Sequence, residues 1–413
     1  MKAILVVGDG MADRPLRELN GKTPLEAAEK PSLDWVAENG VCGIMDPIAP
    51  GIPPGSDTAH LALLGYDPLK VYTGRGALEA VGSGMNVRPG DVAFRCNFAT
   101  VDENLRVVDR RAGRIETDDA SRLAEVFKEI SLEKHPDVRV IFKNSIQHRA
   151  ILLLRGPHLS TMVSDSDPQK VGSNVLRVRP LDNTPEARKT AEIVDELTQY
   201  FHKNLKEHPV NSERQKRGLL PANIILCRGA GKLPDITPIT LRYGVQAAAI
   251  CVMPLVRGVC KVAGMELLTV SGATGSYDTD VVAKADTALQ AIQTNDLVFL
   301  HVKATDVASH DHKVQQKVKM IEKIDKMMKH LVKNANLEET IIAVTADHTT
   351  SLVTGEHEGD PVPVAIAGPG VRTDDIKDFG ERTCAKGGLG RIRGVDLMPT
   401  IMSLQGKTKK FGA

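Results

Sequence analysis

The sequence is poor in aromatic residues, in net charge and in long apolar runs, and each shortage excludes a class of function. Phe, Trp and Tyr make up 3% of the 413 residues, which argues against a platform that stacks bases or sugars. Basic and acidic residues nearly balance, at 53 and 52, so no overall field attracts nucleic acid. No stretch approaches the length of a membrane span. We therefore expect neither a nucleic-acid partner nor a membrane.

The cysteines and the N-terminus predict a cytoplasmic protein. No C-x-x-C spacing occurs, which favours reduced thiols over a disulfide framework or a structural zinc site. The apolar run Ala3–Val7 is too short for a signal peptide and predicts a first core strand. The six cysteines are Cys42, Cys96, Cys227, Cys251, Cys260 and Cys384.

The length and the pattern of apolar runs predict two domains, since 413 residues exceed one ordinary core. Near both ends of the chain, buried strands alternate with helical patterns such as Pro24–Asn39, which predicts a mostly parallel α/β sheet with helices on both faces. The middle has β-branched strands, polar loops and a charged helix, Ala187–Lys206. We therefore predict a catalytic domain of residues 1–90 and 244–413 that carries an inserted α/β substrate domain, 91–243.

Acidic and imidazole side chains directly follow two of the predicted strands. Asp306 and His310 follow one strand, and Asp347, His348 and His357 follow another. Ligands bind beyond the carboxyl ends of strands in an open α/β sheet, so these residues predict a metal site. They exceed the needs of one tetrahedral ion, which points to two divalent ions. Taken singly, each could equally be a helix cap or a turn residue, and the neighbours Asp347 and His348 are expected to diverge.

Spacing separates the preferred ligands from two rival histidines. Asp306 and His310 are four residues apart and share a face if the segment is helical. By the same spacing His312 would point away, and His301 lies within the predicted strand. Mixed carboxylate and imidazole ligation suits Mn, Zn, Co or Mg.

Asp9 and Ser56 are the remaining candidates for this site. Asp9 ends the first predicted strand, where a carboxylate can ligate a cation or form a turn. Ser56 follows a Pro-Pro-Gly segment at a predicted helix start, which suits either an N-cap or a nucleophile. A metal would supply the alkoxide that neutral pH denies. Because Asp57 and Thr58 compete for the cap role, Ser56 is left free for chemistry.

The middle domain holds a second candidate cluster, rich in basic residues. Arginine fits phosphate and carboxylate bidentately, although most arginines on a surface are merely solvated. The segment V-S-D-S-D-P adds Asp165 and Asp167, which suit acid–base work or an Asx-turn before proline. The basic candidates are His148, Arg149, Arg177, Arg179, Arg214 and Arg228.

In order and type, these motifs resemble those of the alkaline phosphatase superfamily and, within it, the archaeal-type cofactor-independent phosphoglycerate mutases. The site motifs are D-G-M from Asp9, P-P-G-S-D-T-A around Ser56, Asp306-x-x-x-His310, Asp347-His348 and His357. The further marks are T-G-R-G-A-L-E-A from Thr73, R-C-N-F-A-T from Arg95, S-D-S-D-P from Ser164, R-G-A-G from Arg228 and H-x-x-D-P-V-P from His357. These marks span nearly the whole chain, and D-H-T-T in place of D-H-G-N supports the archaeal-type branch.

The resemblance implies an isomerase of glycolysis and gluconeogenesis that interconverts 2- and 3-phosphoglycerate without 2,3-bisphosphoglycerate. Ser56 would become a phosphoserine, and glycerate would reorient between the domains and take the phosphate back on its other hydroxyl. Closure of the inserted domain would keep water out. The resemblance assigns one metal to Asp9, Ser56, Asp347 and His348 and the other to Asp306, His310 and His357.

On the substrate side the resemblance rests on local similarity. Either Asp165 or Asp167 would move the hydroxyl proton. Arg257 sits where a bacterial-type mutase carries lysine. The implied substrate-binding residues are His148, Arg149, Arg228 and Arg257.

Other functions fit the same site motifs. A metal-dependent phosphatase or phosphonate hydrolase would share the metal ligands, and phosphopentomutase is a further relative that the middle-domain marks disfavour. A non-catalytic metal or phosphate sensor would need no serine nucleophile. The sequence leaves the metals and the oligomeric state open, including a homo-oligomer.

Overall fold

The first strand of the chain lies inside the largest of the three sheets among residues 1–412 and sets the arrangement around it. The structure is a computed structural model that describes residues 1–412. The strands in chain order are β1 Lys2–Gly8, β2 Gly40–Asp46, β3 Val92–Val101, β4 Val107–Asp109, β5 Arg139–Asn144, β6 Arg149–Arg155, β7 Ile224–Gly231, β8 Ala247–Ile250, β9 Glu266–Leu268, β10 Leu297–Val302, β11 Thr340–Ala346, β12 Thr349–Thr350, β13 His357–Glu358, β14 Val362–Ala367 and β15 Gly390–Arg393.

The helices fall between these strands and differ widely in length. They are α1 Pro24–Ala27, α2 Pro31–Glu38, α3 Ser56–Leu63, α4 Pro68–Val71, α5 Arg75–Gly82, α6 Thr117–Ala124, α7 Pro185–Leu205, α8 Pro209–Lys216, α9 Ile239–Tyr243, α10 Pro254–Val262, α11 Val281–Thr294, α12 Ala304–His310, α13 Val314–Asn334, α14 Glu381–Cys384 and α15 Gly394–Leu404. Among residues 1–412, none is long and apolar enough to cross a bilayer.

The described chain divides into two compact units. One comprises Met1–Tyr72 and the chain from Asp235 onward, and the other is Thr73–Pro234. The larger unit contains a sheet of order β15-β2-β14-β11-β1-β10-β8-β9 within the described residues, in which only β14 runs antiparallel to its neighbours. Its central strands are buried on both faces, which is why they are nearly continuous runs of Val, Ile, Leu and Ala.

Helices cover this sheet in two groups. α2, α11, α12 and α13 pack together, and α3, α10 and α15 form another group. The predicted α/β architecture with a mostly parallel sheet is therefore confirmed. The predicted single helix Pro24–Asn39 is wrong, because Pro31 lacks an N–H and holds Lys30 outside the helical region, so that α1 ends at Ala27 and α2 begins anew.

The smaller unit is an antiparallel sheet in which β3 pairs with β4, β6 and β7, and β6 pairs with β5. Helix α7 packs against β7, and aromatic rings such as Phe127 and Phe201 fill the core. The bounds of this unit, Thr73–Pro234, differ from the predicted 91–243. Helix α5 belongs to it because the backbone of Gly76 lies directly against the Ala93 carbonyl, with no room for a Cβ.

Candidate functional site

Three polar side chains lie next to one another at the carboxyl edge of the largest sheet. Strand β1 lies between β10 and β11, and the last residues of the three strands are in register. The residues that follow are Asp9, Lys303 and Asp347, so the sheet itself places them side by side. Asp9 and Asp347 are fully buried, and Lys303 is largely so.

Two overlapping groups of side chains at this edge have the composition of metal sites. One is Asp9, Asp347 and His348, and the other is Asp306, His348 and His357; within each group the ligand atoms lie within 4.8 Å of one another. His348 Nε2 is 3.2 Å from Asp347 Oδ2 and 3.5 Å from Asp9 Oδ1. The expectation that Asp347 and His348 diverge is therefore wrong, because the chain turns after β11 and brings both side chains to the same point.

Helix α12 brings His310 to the same cluster. His310 Nε2 lies 3.2 Å from Asp306 Oδ2, one helical turn away, as their spacing predicts. Asp306 Oδ1 is 3.5 Å from His357 Nε2. His312 contacts Leu352 instead, through Nδ1 and the carbonyl oxygen at 2.8 Å.

In three histidines, the hydrogen bond at Nδ1 shows that this ring nitrogen carries a proton. A carbonyl oxygen can only accept, so His310 and His357 must carry their protons on Nδ1. Thr350 donates its hydroxyl proton to Asp306, so its oxygen accepts from His348 Nδ1. In the neutral ring each Nε2 is then left with a lone pair, the form in which imidazole binds metal. The acceptors are Gly355 O at 2.6 Å for His310, Pro54 O at 2.8 Å for His357 and Thr350 Oγ1 at 2.9 Å for His348.

Two buried polar atoms in the cluster lack partners that a bound cation would supply. Within residues 1–412, Asp347 Oδ2 and His348 Nε2 have no hydrogen-bond partner although both are shielded from solvent. Such atoms are costly unless something satisfies them. Burial, with Asp9 next, raises the pKa of Asp347 well above its ordinary value, which a nearby cation would reverse. The side chains present therefore fit divalent metal.

Lys303 is a member of the cluster that the sequence reasoning missed. Its Nζ lies 2.9 Å from Asp9 Oδ1 and 2.5 Å from Asp306 Oδ2. Burial alone would lower the pKa of Lys303, but the two carboxylates outweigh it and raise the pKa. The available signal was a lysine directly after an apolar strand, at the edge where Asp9 also lies.

Ser56 is the first residue of α3, with Gly55 as the N-cap. The expectation that Asp57 or Thr58 caps the helix in its place is only partly met: Thr58 Oγ1 accepts the Gly55 N–H, whereas Asp57 accepts the Thr58 N–H and the Tyr72 hydroxyl. In the next turn, His60 contacts Ser56 O through Nδ1 at 2.6 Å.

Two contacts hold the loop before α3 beside the cluster of possible metal ligands. His60 Nδ1 lies 3.4 Å from Asp347 Oδ2, and His357 donates to the carbonyl of Pro54. The segment Pro54–Ser56 is therefore held beside the side chains that could bind metal. Burial, followed by His301, lowers the pKa of His60 to about 3, so this imidazole is neutral.

The smaller unit contains a basic pocket of about 230 Å³. Within the described chain, the buried Nε atoms of Arg95, Arg149 and Arg228 and Nδ1 of His148 have no hydrogen-bond partner. Burial lowers the pKa of Arg95 to about 9, and burial with Arg149 lowers that of His148 to about 4. A bound anion would satisfy these nitrogens. The lining residues are Arg95, Asn97, Arg110, Arg111, Arg114, Gln147, His148, Arg149 and Arg228.

The two aspartates of the S-D-S-D-P segment have different surroundings. Asp167 accepts two hydrogen bonds from Arg110, at 3.1 and 2.7 Å, which fix both of its oxygens. Asp165 accepts the Gly229 N–H at 2.8 Å, and burial raises its pKa. Of the two, Asp165 is the one whose surroundings allow it to exchange a proton.

Four of the predicted basic residues do not line this pocket. Arg214 is buried and pairs with Asp119 at 2.8 Å, a structural role. Arg177 and Arg179 line a separate cavity of about 740 Å³ in the same unit. Arg257 belongs to the larger unit, where it donates to the Cys251 carbonyl at 3.2 Å and lines a cavity of about 310 Å³.

Known proteins resemble the chain over its full length. Residues 37–211 match the family model of 2,3-bisphosphoglycerate-independent phosphoglycerate mutase. A protein of that name from Methanosphaera stadtmanae is 48% identical over 416 residues, with all of both chains covered. The corresponding mutase 1 of Methanothermobacter thermautotrophicus is 46% identical over 414 residues, again with full coverage of both.

Solved structures of similar proteins share the fold. A cofactor-independent phosphoglycerate mutase from Thermoplasma acidophilum has a TM-score of 0.71 at 36% identity, covering 98% of this chain and 100% of its own. A protein from Pyrococcus horikoshii has a TM-score of 0.87 at 40% identity, covering 100% of this chain and 99% of its own.

Proposed function

The chain belongs to the family of 2,3-bisphosphoglycerate-independent phosphoglycerate mutases and is an isomerase of that class. From this premise we propose that it interconverts 2- and 3-phosphoglycerate through a phosphoserine on Ser56, at a site for two divalent metal ions. The observation that carries the proposal is that three imidazole Nε2 atoms gather with buried carboxylate oxygens at one place, beside the N-terminus of α3.

The residues divide naturally between two ions. Asp9, Asp347 and His348 would hold one, with Ser56 beside them, and Asp306, His310 and His357 would hold the other. When bound, such ions lower the pKa of a hydroxyl and stabilise the charge of a phosphoryl group. The donor set suits Mn, Zn, Co or Mg.

Ser56 is the residue that exchanges the phosphoryl group. Its Oγ bonds to phosphorus as the bond between phosphorus and the substrate oxygen breaks. The resulting phosphoserine then gives the group to the other hydroxyl of glycerate, so phosphate is conserved and no bisphosphate is consumed. Because Ser56 opens α3, the positive end of that helix's dipole would lie beside the transferred negative charge.

The basic pocket would recognise the anionic groups of the substrate. Arg149, Arg228 and His148 offer buried nitrogens that an oxygen anion would satisfy, and Arg95 adds a charge that burial already disfavours. Asp165 would give a proton to the glycerate oxygen that leaves and take one from the oxygen that attacks. Arg257 remains a further candidate for substrate binding.

Phosphorus NMR tests the proposal directly. Metal-free protein is supplied with Mn²⁺ and 3-phosphoglycerate, without 2,3-bisphosphoglycerate, and the signals are followed over time. A 2-phosphoglycerate signal that grows to a stable mixture supports the proposal, and EDTA should abolish it. Inorganic phosphate as the only product would instead establish a phosphatase or phosphonate-hydrolase type of activity, and contradict the mutase.

A further inference from the structure

The cysteines, dispersed along the sequence, come together in the fold. Each is buried as a free thiol, and each has another cysteine as a side-chain partner. The pattern is unexpected for residues as far apart in the chain as Cys96 and Cys227, which are separated by 131 positions. The partners are Cys42 with Cys384, Cys96 with Cys227, and Cys251 with Cys260.

The pair in the smaller unit has a geometry close to that of a disulfide. Cys96 on β3 and Cys227 on β7 lie directly opposite each other in an antiparallel ladder. Their sulfur atoms are 3.5 Å apart, and both side chains are fully buried. Opposed residues in such a ladder have Cα atoms about 4.5–5.5 Å apart, inside the range that a disulfide spans. Only the sulfur atoms need to approach, to about 2.05 Å.

We propose that Cys96 and Cys227 are a redox modification site, a buried dithiol that a small peroxide converts to a disulfide. The thiolate of one cysteine attacks a peroxide oxygen, the O–O bond breaks, and a sulfenic acid and one water form. The second sulfur attacks the sulfenic sulfur, the S–O bond breaks, and a second water leaves as the S–S bond forms. The two thiols supply the two electrons that reduce the peroxide.

The bond would form on the core side of the strands that carry the basic pocket. Side chains alternate along a strand, so the neighbours of the two cysteines face the other way. Of those four neighbours, Arg95, Asn97 and Arg228 line the pocket, whereas Leu226 packs in an apolar cluster. Ser166 Oγ accepts the Cys227 N–H at 2.8 Å, which links the same strand to the S-D-S-D-P segment. A disulfide would therefore restrain the two strands that carry the pocket, so that its arginines adjust less readily to a ligand; the importance of this effect for catalysis rests on the proposed function.

The rate of this reaction should be slow and should rise with pH. Burial, with the Cys227 partner next, raises the pKa of Cys96 well above its ordinary value, so little thiolate is present at neutral pH. Hydrogen peroxide has only two heavy atoms and is small enough to enter where a bulky disulfide reagent cannot. Hydrogen peroxide is therefore the probe of choice.

Peptide mapping of the full chain tests the site. The reduced protein is exposed to hydrogen peroxide, its remaining thiols are alkylated under denaturing conditions, and the digest is analysed with and without reductant. We expect a reductant-sensitive peptide that joins Cys96 to Cys227. Met162, whose side chain is 45% exposed, reports whether the oxidant reached the protein. Oxidation of Met162 while Cys96 and Cys227 remain fully alkylated would overturn the proposal.

Two variants and a binding measurement sharpen the result. Cys227→Ala should abolish the joined peptide, whereas Cys260→Ala, the matched change in a different pair, should leave it. Calorimetry with 3-phosphoglycerate and metal-free protein compares the oxidised and reduced forms, and we expect several-fold weaker binding after oxidation. Equal affinity would refute the link to the pocket. Because the peptide map needs no turnover, it stands even if the mutase assignment fails.

Discussion

His301 donates a hydrogen bond from Nε2 to Asp9 Oδ2 across 2.8 Å, and both side chains are completely buried. The bond leaves Asp9 Oδ1 facing His348 Nε2 at 3.5 Å and Lys303 Nζ at 2.9 Å. Burial lowers the pKa of His301, so the ring is neutral. His301 therefore holds a proposed metal ligand from behind, as outer histidine–carboxylate pairs do in metal sites.

We predict that His301→Leu weakens metal binding by about 10- to 100-fold. The carboxylate of Asp9 would lose the donor that fixes its orientation. His301→Gln should recover part of the loss, because its amide can still donate. Calorimetric titration of the metal-free variants with Mn²⁺ measures the change, and wild-type affinity in His301→Leu would show that Asp9 needs no such support.

Lys303→Met should lower the stability of the metal-free protein and raise its affinity for Mn²⁺. Removing the ammonium leaves Asp9 and Asp306 buried without their cation, so the metal-free protein should lose about 3 kcal/mol of unfolding free energy. The same ammonium competes with metal for those oxygens, so Mn²⁺ affinity should rise. Thermal unfolding in EDTA and metal titration test the two effects. A variant that loses both stability and affinity would indicate that Lys303 organises the site instead.

Ser56→Ala should stop turnover and leave the fold intact. Gly55 is the N-cap of α3, and its N–H donates to Thr58 Oγ1, so Ser56 contributes little to the helix; we expect a stability change within about 0.5 kcal/mol. Phosphorus NMR and thermal unfolding measure the two properties on the same sample. Substantial 2-phosphoglycerate formation by folded Ser56→Ala would exclude Ser56 as the nucleophile.

Strands and their ends were the part of the molecule most accessible from sequence. Continuous apolar runs identified β1, β10 and β11, and residues directly after parallel strands must meet at one edge, which placed Asp9 and Asp347 together. The four-residue spacing likewise placed His310 on Asp306. These conclusions depend only on periodicity and on strand polarity.

Contacts between side chains that are far apart in the chain could not be predicted in this way. His301 lies within strand β10 among apolar residues and has no sequence signal of its own. Only the pairing of β10 with β1 shows that it contacts Asp9. Arg214 carries the same sequence signal as Arg228, yet its partner Asp119 lies on α6, far away in the chain. Pairing of this kind is decided by tertiary packing, which a single sequence does not encode locally.

Asp165→Asn and Asp167→Asn should have separable effects. In Asp165→Asn the new amide keeps an oxygen for the Gly229 N–H but cannot carry a proton, so kcat should fall by about 10²- to 10⁴-fold with little change in KM or stability. Asp167→Asn breaks the paired bonds from Arg110 and should raise KM and lower stability. Steady-state kinetics with both variants discriminate the roles, and the reverse pattern would assign the proton to Asp167.

Glu381 makes the stability of the larger unit depend on pH. Its carboxylate accepts from the Thr23 hydroxyl at 2.7 Å and from the Asp13 N–H at 3.1 Å. Burial outweighs these hydrogen bonds and raises the pKa of Glu381 from 4.5 to about 7. Between those values the folded protein keeps a proton that the unfolded chain has lost, so the contribution of Glu381 to stability declines as pH rises through this window.

Glu381→Gln removes that dependence, because an amide stays neutral and can still donate to Thr23 and accept from Asp13. Relative to the wild type, the variant should gain up to about 3 kcal/mol between pH 5 and pH 8. Guanidinium unfolding at both pH values, in EDTA so that bound metal does not contribute, measures the difference. Glu356→Gln, at an exposed position, is the matched control and should track the wild type at both pH values. If Glu381→Gln instead differs from the wild type by the same amount at pH 5 and pH 8, the carboxyl is ionised in the fold across this range, and the hydrogen bonds from Thr23 and Asp13 outweigh its burial.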